Sequence, residues 1–174
     1  HHLTIKDLTI KGNANSGDGI HLEYIDELDI RGIRSHDNGG HGFYLYKILN
    51  ISNIVDPIMT NSWFHENGKY GIYLDDTHDF SITACAVEQN DSGGIYIKDS
   101  RDPKIVGCEI EDHSGIANEI TLNGVQECVI TGNQIENSGS VAAIEFKGSE
   151  SNRVVISGNV IWTTLGHTAR CIRA

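Results

Sequence analysis

The chain alternates apolar and polar residues over short stretches, and these stretches recur at a nearly constant interval. Each copy is an apolar-polar-apolar run, usually preceded by Gly, and the leading apolar residues lie 23, 29, 23, 25 and 24 positions apart. These leading residues are Ile20, Phe43, Ile72, Ile95, Ile120 and Ile144. Alternation with a period of two predicts β-strands. Self-similarity at this spacing predicts stacked units that bury their apolar faces against one another.

Two further short strands are predicted in each unit. The second strands are residues 28–30, 80–82, 128–130 and 154–156, with Ile51 and Ile105 starting those of the other two units. The third strands are residues 85–87, 108–110, 133–135 and 159–161. Three strands per unit predict an all-β solenoid of about six to seven coils, with three parallel sheets and about 4.8 Å between coils. A β-sandwich of hairpins needs longer strands and two-residue turns, and the regular interval argues against it.

The ends and the longest unit bear on domain organisation. Residues 1–174 are predicted to form a single domain that is a segment of a longer protein, since strand-like runs open and close the chain without a capping element. Flanking domains or oligomer partners are expected to cover the open coils. The 29-residue unit indicates an insertion near residues 55–59, which is either the edge of a binding groove or a surface bulge.

Charge and cysteine usage narrow the class of partner. The formal net charge of −11 argues against nucleic acid, which requires clustered Lys and Arg. No apolar stretch is long enough to predict a membrane span. Cys85 and Cys108 lie one repeat apart and are expected to stack, either as buried thiols or as a disulfide. Asn133 and Asn159 are expected to continue their column as an amide ladder.

Outward positions one repeat apart become neighbours in such a stack. Along the first strand the two outward columns are His21, Tyr44, Tyr73, Tyr96, Thr121 and Glu145, and Glu23, Tyr46, Asp75, Lys98, Asn123 and Lys147. His41 and Lys69 stand in the turns just before this strand. Aromatic faces stack on sugar rings, and charged groups bind hydroxyls and carboxylates. The columns therefore predict a groove for an extended, acidic polysaccharide.

General acid–base chemistry requires titratable groups that converge on one bond. The candidate catalytic residues are Glu23, His41, Tyr44, Tyr46 and Asp75, and the candidate substrate-binding residues are His21, Tyr73, Tyr96 and Lys98. A structural interpretation of each residue stays open. Tyr suits an exposed β-face for packing alone, and opposite charges on adjacent strands stabilise a sheet without any chemistry.

The remaining histidines, at positions 36, 65, 78, 113 and 167, are predicted to lie in turns. The chain has no HxxxH motif and no Cys/His cluster that indicates a transition-metal site, so no metal ligand is assigned. The one cofactor left open is a Ca²⁺ ion that bridges the acidic chain to a polyanion.

The repeated Asn-x-Gly-x-Gly-Ile/Phe pattern resembles the right-handed parallel β-helix superfamily, the pectate-lyase-like group. Residues 18–24 and 35–43 resemble two consecutive coils of the alginate C-5 epimerase catalytic module. The resemblance implies that Glu23, which stands where that family has Asp, is a supporting carboxylate. It also implies that His41 binds or neutralises the carboxylate of a uronate. It further implies a location outside the cell or on a cell or virion surface.

Two functions are compatible with these patterns. The first is a carbohydrate-active enzyme of the lyase, epimerase or hydrolase type; a hydrolase would use two carboxylates, such as Glu23 and Asp75. The second is a non-catalytic module of the tailspike or cell-surface type that binds a glycan or acts as a spacer.

Overall fold

The computed structural model describes residues 2–48, 56–114, 118–138, 142–148, 151–163 and 170–174, and the regular structure in these ranges is β-strand. In chain order the strands are β1 (His2–Lys11), β2 (Ile20–Ile25), β3 (Glu27–His36), β4 (Phe43–Ile48), β5 (Ile58–Thr60), β6 (Trp63–His65), β7 (Tyr70–Asp75), β8 (Ser81–Thr83), β9 (Ala86–Glu88), β10 (Gly93–Lys98), β11 (Lys104–Val106), β12 (Glu109–Glu111), β13 (Asn118–Asn123), β14 (Val129–Thr131), β15 (Gln134–Asn137), β16 (Ala142–Lys147), β17 (Val155–Ser157), β18 (Val160–Thr163) and β19 (Arg170–Arg173).

The strands stack in three columns, so the predicted three-sided coil is confirmed. The first column is a seven-stranded sheet in the order β2-β4-β7-β10-β13-β16-β19, called the first sheet below. The second column runs through β5, β8, β11, β14 and β17, and the third through β6, β9, β12, β15 and β18. These two columns join into one sheet because the long strand β3 pairs with β5 through its first half and with β6 through its second. The pairings within both sheets are parallel.

The core is a narrow apolar stack inside the three columns. Its first-sheet ladder pairs Ile20 with Phe43, Phe43 with Ile72 and Ile72 with Ile95 in direct register. Ile20 is 7% exposed, and the other three are fully buried. Because side chains alternate along a strand, the residues on either side of each rung point outward. Burial of the apolar rungs thus fixes which residues reach the opposite, solvent-facing side of the sheet.

One strand differs from the sequence expectation. The second strand of the coil that begins with β4 is Ile58–Thr60, not a strand starting at Ile51, and Ile51 lies outside the described residues. Met59 is fully buried and pairs with Ile30 and Ile82. Residues 58 and 59, placed within the insertion from sequence, therefore belong to the regular coil. Either Ile51 or Met59 has the apolar side chain that this core position requires. The hydrophobic pattern alone therefore did not show which residues form the insertion.

Side-chain amides form ladders at two corners of the coil. At one corner, Asn38 Nδ2 donates to Asn67 Oδ1 at 2.8 Å, and Asn67 Nδ2 donates to Asn90 Oδ1 at 2.8 Å. At the other, Asn133 Nδ2 donates to Asn159 Oδ1 at 2.8 Å, as the sequence predicted. These amides supply hydrogen-bond partners that the buried backbone of the turns would otherwise lack.

The second ladder continues from the cysteine column. Cys108 donates its backbone N–H to Asn133 Oδ1 at 2.8 Å. Cys85 and Cys108 are both buried, and both are free thiols. In this structure the stacked pair is not joined by a disulfide.

Candidate functional site

The outward residues of the first sheet align in rows, as the repeat predicted. In one row, His21 pairs with Tyr44, Tyr44 with Tyr73, and Tyr73 with Tyr96. In the row beside it, Glu23 pairs with Tyr46, Tyr46 with Asp75, and Asp75 with Lys98. All the sequence-predicted site residues except His41 thus lie on four neighbouring strands, β2, β4, β7 and β10.

The first row is a continuous stack of rings, called the ring row below. The centroid separations are 4.4 Å for His21–Tyr44, 5.3 Å for Tyr44–Tyr73 and 5.0 Å for Tyr73–Tyr96. The two tyrosine pairs are stacked, with planes inclined by 15° and 1°. Because adjacent strands are about 4.8 Å apart, four rings make a platform about 14 Å long. Its length follows the solenoid axis and suits an extended chain rather than a compact ligand.

His21, at the head of the ring row, is held between two carboxylates. Its Nδ1 lies 2.7 Å from Asp18 Oδ2 and its Nε2 lies 3.1 Å from Glu23 Oε1. Hydrogen bonds to Glu23 and then to Asp18 raise the pKa of His21 above its usual value, against a smaller effect of burial. When both ring nitrogens donate, the ring is an imidazolium. His21 therefore brings a positive charge next to the ring of Tyr44.

His41 is placed behind the ring row by the turn before β4. Its ring centroid is 4.8 Å from that of Tyr73 and 5.7 Å from that of Tyr44, and it stacks on Tyr70 at 5.8 Å. The backbone N–H of His41 donates to Asp18 Oδ1 at 2.6 Å, which fixes the turn. His41 is buried, and this burial lowers the pKa of its imidazole to about 4, with Lys69 acting in the same direction.

The hydrogen bond of the His41 ring sets its tautomer. Its Nδ1 accepts the backbone N–H of Tyr70 at 3.3 Å, so the proton of the neutral ring is on Nε2. At neutral pH the ring is thus an uncharged hydrogen-bond donor. Such a donor is suited to bind an oxygen atom of a ligand, whereas it carries no charge of its own.

Tyr44 and Tyr73 of the ring row keep their protons. Burial raises the pKa of Tyr73 to about 12, and nearby Asp75 adds to the effect. Burial also raises the pKa of Tyr44, with further contributions from Asp75 and Glu23. Neither side chain is a phenolate at neutral pH in the free protein, and both can donate a proton or a hydrogen bond.

The charges of Asp75 and Lys98 largely offset one another. Lys98 Nζ lies 3.1 Å and 3.3 Å from the two oxygens of Asp75, and it also lies 3.3 Å from Asp99 Oδ2. The hydrogen bonds that Lys98 donates to Asp75 raise the pKa of Lys98, so the ammonium group is charged. Since two carboxylates already surround it, Lys98 offers less net positive charge to a ligand than its position in the row suggests.

The accessible part of the ring row ends after Tyr96. The next two residues of the ring column, Thr121 and Glu145, are only 2% and 5% exposed. Asn118 Nδ2 donates to Glu145 Oε2 at 2.7 Å, and Asn123 Nδ2 donates to the Tyr96 hydroxyl at 3.0 Å. The platform therefore ends here, because the next side chains of the ring row are buried and hydrogen-bonded within the protein.

Two residues of the site, Asp18 and Tyr70, were not selected from sequence. Asp18 holds both His21 and His41, and Tyr70 stacks on His41 and lies 5.0 Å from Tyr96. Each immediately precedes the Gly of a repeat copy, at the point where a turn leads into the first sheet. That shared position was the available signal.

Two turn histidines also differ from expectation. His36 and His65 are the last residues of β3 and β6, not turn residues, and their rings stack at 4.8 Å. Together with Glu66 they bring three potential metal-ligating atoms within 4.8 Å of one another. No compact motif predicts this group from sequence, because His36 is 29 residues from His65.

The chain belongs to the family described as the right handed beta helix region, whose model matches residues 1–161. This confirms the predicted class of fold and its hand. Among solved structures, the chain is similar to the A-module of the mannuronan C-5 epimerase AlgE6 of Azotobacter vinelandii. The identity is 16% and the TM-score 0.65, over 99% of this chain and 58% of that one.

The A-module of AlgE4 from the same organism also matches, with 16% identity and a TM-score of 0.48, over 98% of this chain and 57% of that chain. The chain therefore spans less than two thirds of the length of either module. At this level of identity the likeness shows the fold and leaves the chemistry to the site itself. No curated protein sequence matches the chain. The described residues include no helix long and apolar enough to cross a membrane.

Proposed function

We propose that the protein binds an acidic polysaccharide along the ring row and processes it by removing the proton next to a uronate carboxylate. The observation that carries the proposal is the arrangement at the head of the row. His21, held between two carboxylates, and an uncharged, buried His41 each lie within ring-contact distance of a protonated Tyr44. Groups of this kind can bind the carboxylate of a uronate and transfer protons on one side of its sugar ring.

The reaction sets specific demands on these groups. A base takes the proton at C5, and the electron pair left on carbon is delocalised into the adjacent carboxylate. Positive charge and hydrogen-bond donors at that carboxylate stabilise the developing charge. Return of a proton from the opposite face gives the epimer, whereas loss of the substituent at C4, with its oxygen protonated by an acid, gives an unsaturated sugar.

The geometry supports particular roles. The Nε2–H of His41 binds the carboxylate, and His21, bonded to Asp18 and Glu23, offsets part of the negative charge beside it. Tyr44 is the acid, since its raised pKa keeps the phenol protonated. Glu23 is the base or orients His21, to which it is bonded. Tyr46, which lies edge-on to Tyr24 at 5.4 Å, is the alternative proton donor on the same strand as Tyr44.

The ring row supplies the subsites on either side. Tyr73 and Tyr96 contact sugar rings along the row, and Lys98 contacts hydroxyl or carboxylate oxygens at the far end. A hydrolase that uses Glu23 and Asp75 is less well supported. The two carboxylates are two coils, or about 10 Å, apart, but Asp75 is bonded through both oxygens to Lys98.

A non-catalytic glycan-binding module is the second candidate. The observation that favours it is the extensive internal pairing of the charged groups, since Asp18, Glu23, Asp75 and Lys98 all have bonded partners. In either case the proposed location is extracellular or on a cell or virion surface, where such polymers occur. The described chain is proposed to be one part of a longer protein.

Incubation with mannuronan, mixed alginate and polygalacturonate tests the proposal. Exchange of the C5 proton in D₂O, seen by NMR, reports epimerisation; ultraviolet absorbance reports unsaturated ends, and new reducing ends report hydrolysis. We expect Glu23→Gln and His41→Gln to abolish turnover, with Glu109→Gln and His78→Gln as controls. Turnover unaffected by either substitution would reject the site. Binding without turnover in the unaltered protein would support the non-catalytic candidate, and absence of binding would reject both.

A further inference from the structure

Two neighbouring coils repeat a four-residue sequence of His, an acidic residue, Asn and Gly, at residues 36–39 and 65–68. Strand pairing sets His36 directly against His65. Their rings stack with centroids 4.8 Å apart and planes inclined by 5°. The side chains are only 11% and 6% exposed. The ring row does not use this pair.

Each imidazole faces the carboxylate of the residue that follows it. His36 Nδ1 lies 2.9 Å from Asp37 Oδ2, and His65 Nδ1 lies 3.0 Å from Glu66 Oε2. One nitrogen of each ring and one oxygen of Glu66 lie within 4.8 Å of one another. Two imidazoles and a carboxylate at this separation need only small side-chain movements to share one ion.

A cavity borders the cluster at Asp37 and Glu66. It has a volume of about 540 Å³, and its lining includes Asp37, Glu66 and Asp91 together with the backbone of Gly39 and Gly68. Lys11 also lines it and lies 3.5 Å from Asp37 Oδ2. Three carboxylates against one ammonium group give the cavity a negative potential that attracts cations.

Arg34 is the competing group. Its Nε donates to His65 Nε2 at 3.2 Å, and its guanidinium lies 4.5 Å from the centre of the Trp63 ring. This bond places the proton of a neutral His65 on Nδ1, facing Glu66. A cation bound at Nδ1 moves that proton to Nε2, so Arg34 must release the ring. The bond to Arg34 therefore lowers the affinity of the cluster for a cation.

We infer that His36, His65 and Glu66, with Asp37 beside them, form a binding site for a divalent transition-metal ion, with Zn²⁺ the best match. Imidazole nitrogen combined with carboxylate oxygen is a ligand set that suits Zn²⁺ and its neighbours. Ca²⁺ prefers oxygen ligands alone and fits the two imidazoles poorly. The bound ion would tie two successive coils together, independently of any activity at the ring row.

Titration with Co²⁺, followed by its visible absorption and by Zn²⁺ competition, tests the site. His1 and His2 are first replaced by Ala, so that the N-terminal pair cannot chelate the metal. We expect one ion per chain, with affinity reduced at least about tenfold in His36→Ala and His65→Ala. His78→Ala is the control and is expected to bind as the background protein does. Binding that is absent from the background protein, or kept in both ligand variants, would overturn the site.

Two further variants keep the test decisive if an alanine variant fails to fold. Glu66→Gln keeps the shape of the side chain and is expected to weaken Co²⁺ binding by about tenfold or more. Arg34→Met removes the competing donor and is expected to tighten binding, whereas Arg31→Met on the same strand leaves it unchanged. Unchanged affinity in Glu66→Gln together with weaker binding in Arg34→Met would contradict the proposed ligand set. Far-ultraviolet circular dichroism confirms the fold of each variant.

Discussion

The rings of Tyr73 and Tyr96 lie face to face, with centroids 5.0 Å apart and planes inclined by 1°. They come from strands β7 and β10, whose residues pair in direct register. The spacing of strands in the first sheet is therefore copied by the aromatic rings on its surface. Because the faces are turned toward one another, a ligand that follows the row meets the exposed edges of the rings, at intervals set by the backbone.

Removal of one ring should interrupt the platform. We expect Tyr73→Ala to weaken the binding of a uronate oligosaccharide about fivefold, since a stacking contact contributes on the order of 1 kcal/mol. Tyr73→Phe keeps the face and should bind nearly as the unaltered protein does. Isothermal titration calorimetry measures both affinities, with Tyr24→Ala as the control. Equal loss in Tyr73→Ala and Tyr24→Ala would argue against a specific platform.

His41 should make stability depend on pH. Its pKa in the folded protein is lowered to about 4, below the usual value of 6.5, so between these values the unfolded chain binds the proton more readily. The free energy of unfolding should fall as the pH drops through this window, with a contribution from His41 of at most about 1.4 kcal/mol per pH unit. Urea unfolding at several pH values measures the slope, and His41→Gln should flatten it relative to His78→Gln.

His21 should make the opposite contribution to the pH dependence of stability. Hydrogen bonds to Glu23 and Asp18 raise its pKa in the folded protein, so its stabilising charge is fully present below the unfolded value and is lost as the pH rises through the folded one. Binding of a polyuronate should weaken over that same upper range. Nuclear magnetic resonance of the ring protons gives the pKa, and Glu23→Gln should lower it. A His21 pKa that stays the same in this variant would disprove the role of Glu23.

Asn67 should be important for stability rather than for binding. It is 1% exposed, its Oδ1 accepts from Asn38, and its Nδ2 donates to Asn90. We expect Asn67→Ala to lower the free energy of unfolding by about 2–4 kcal/mol, because buried partners on both sides lose a hydrogen bond. Asn159→Ala, at the half-exposed end of the other ladder, should cost clearly less. Chemical denaturation of the two variants compares them directly.

Sequence reasoning was effective wherever the strand repeat fixes position. The period of two places Phe43 inside and Tyr44 outside, and the interval between repeats places Tyr44 against Tyr73. The repeat does not predict the direction of side chains in turns, because that direction depends on local hydrogen bonds. Asp18 and His41 are examples. The insertion was also misplaced, since an added loop leaves the periodicity on either side intact.

The histidine pair was missed for a related reason. His36 and His65 are 29 residues apart in the chain, and only the register of β3 with β6 brings them together. Motifs that rely on short spacing within one helix or strand cannot reveal such a pair. In a stacked coil the corresponding motif runs across the strands, and it is visible only when the units are aligned.

The amide ladder also gives the solenoid a direction. In the column from Asn38 through Asn67 to Asn90, each carbonyl points toward the coil before it and each NH₂ group toward the coil after it. Asn90 then donates to His113 Nε2 at 3.4 Å, and the other nitrogen of His113 meets the buried carboxylate of Glu119. The amide dipoles thus add along the axis, with their positive ends toward His113 and the carboxyl group of Glu119. Reversal of one amide would set like poles together at both neighbours, so the column keeps its polarity unless every member inverts at once.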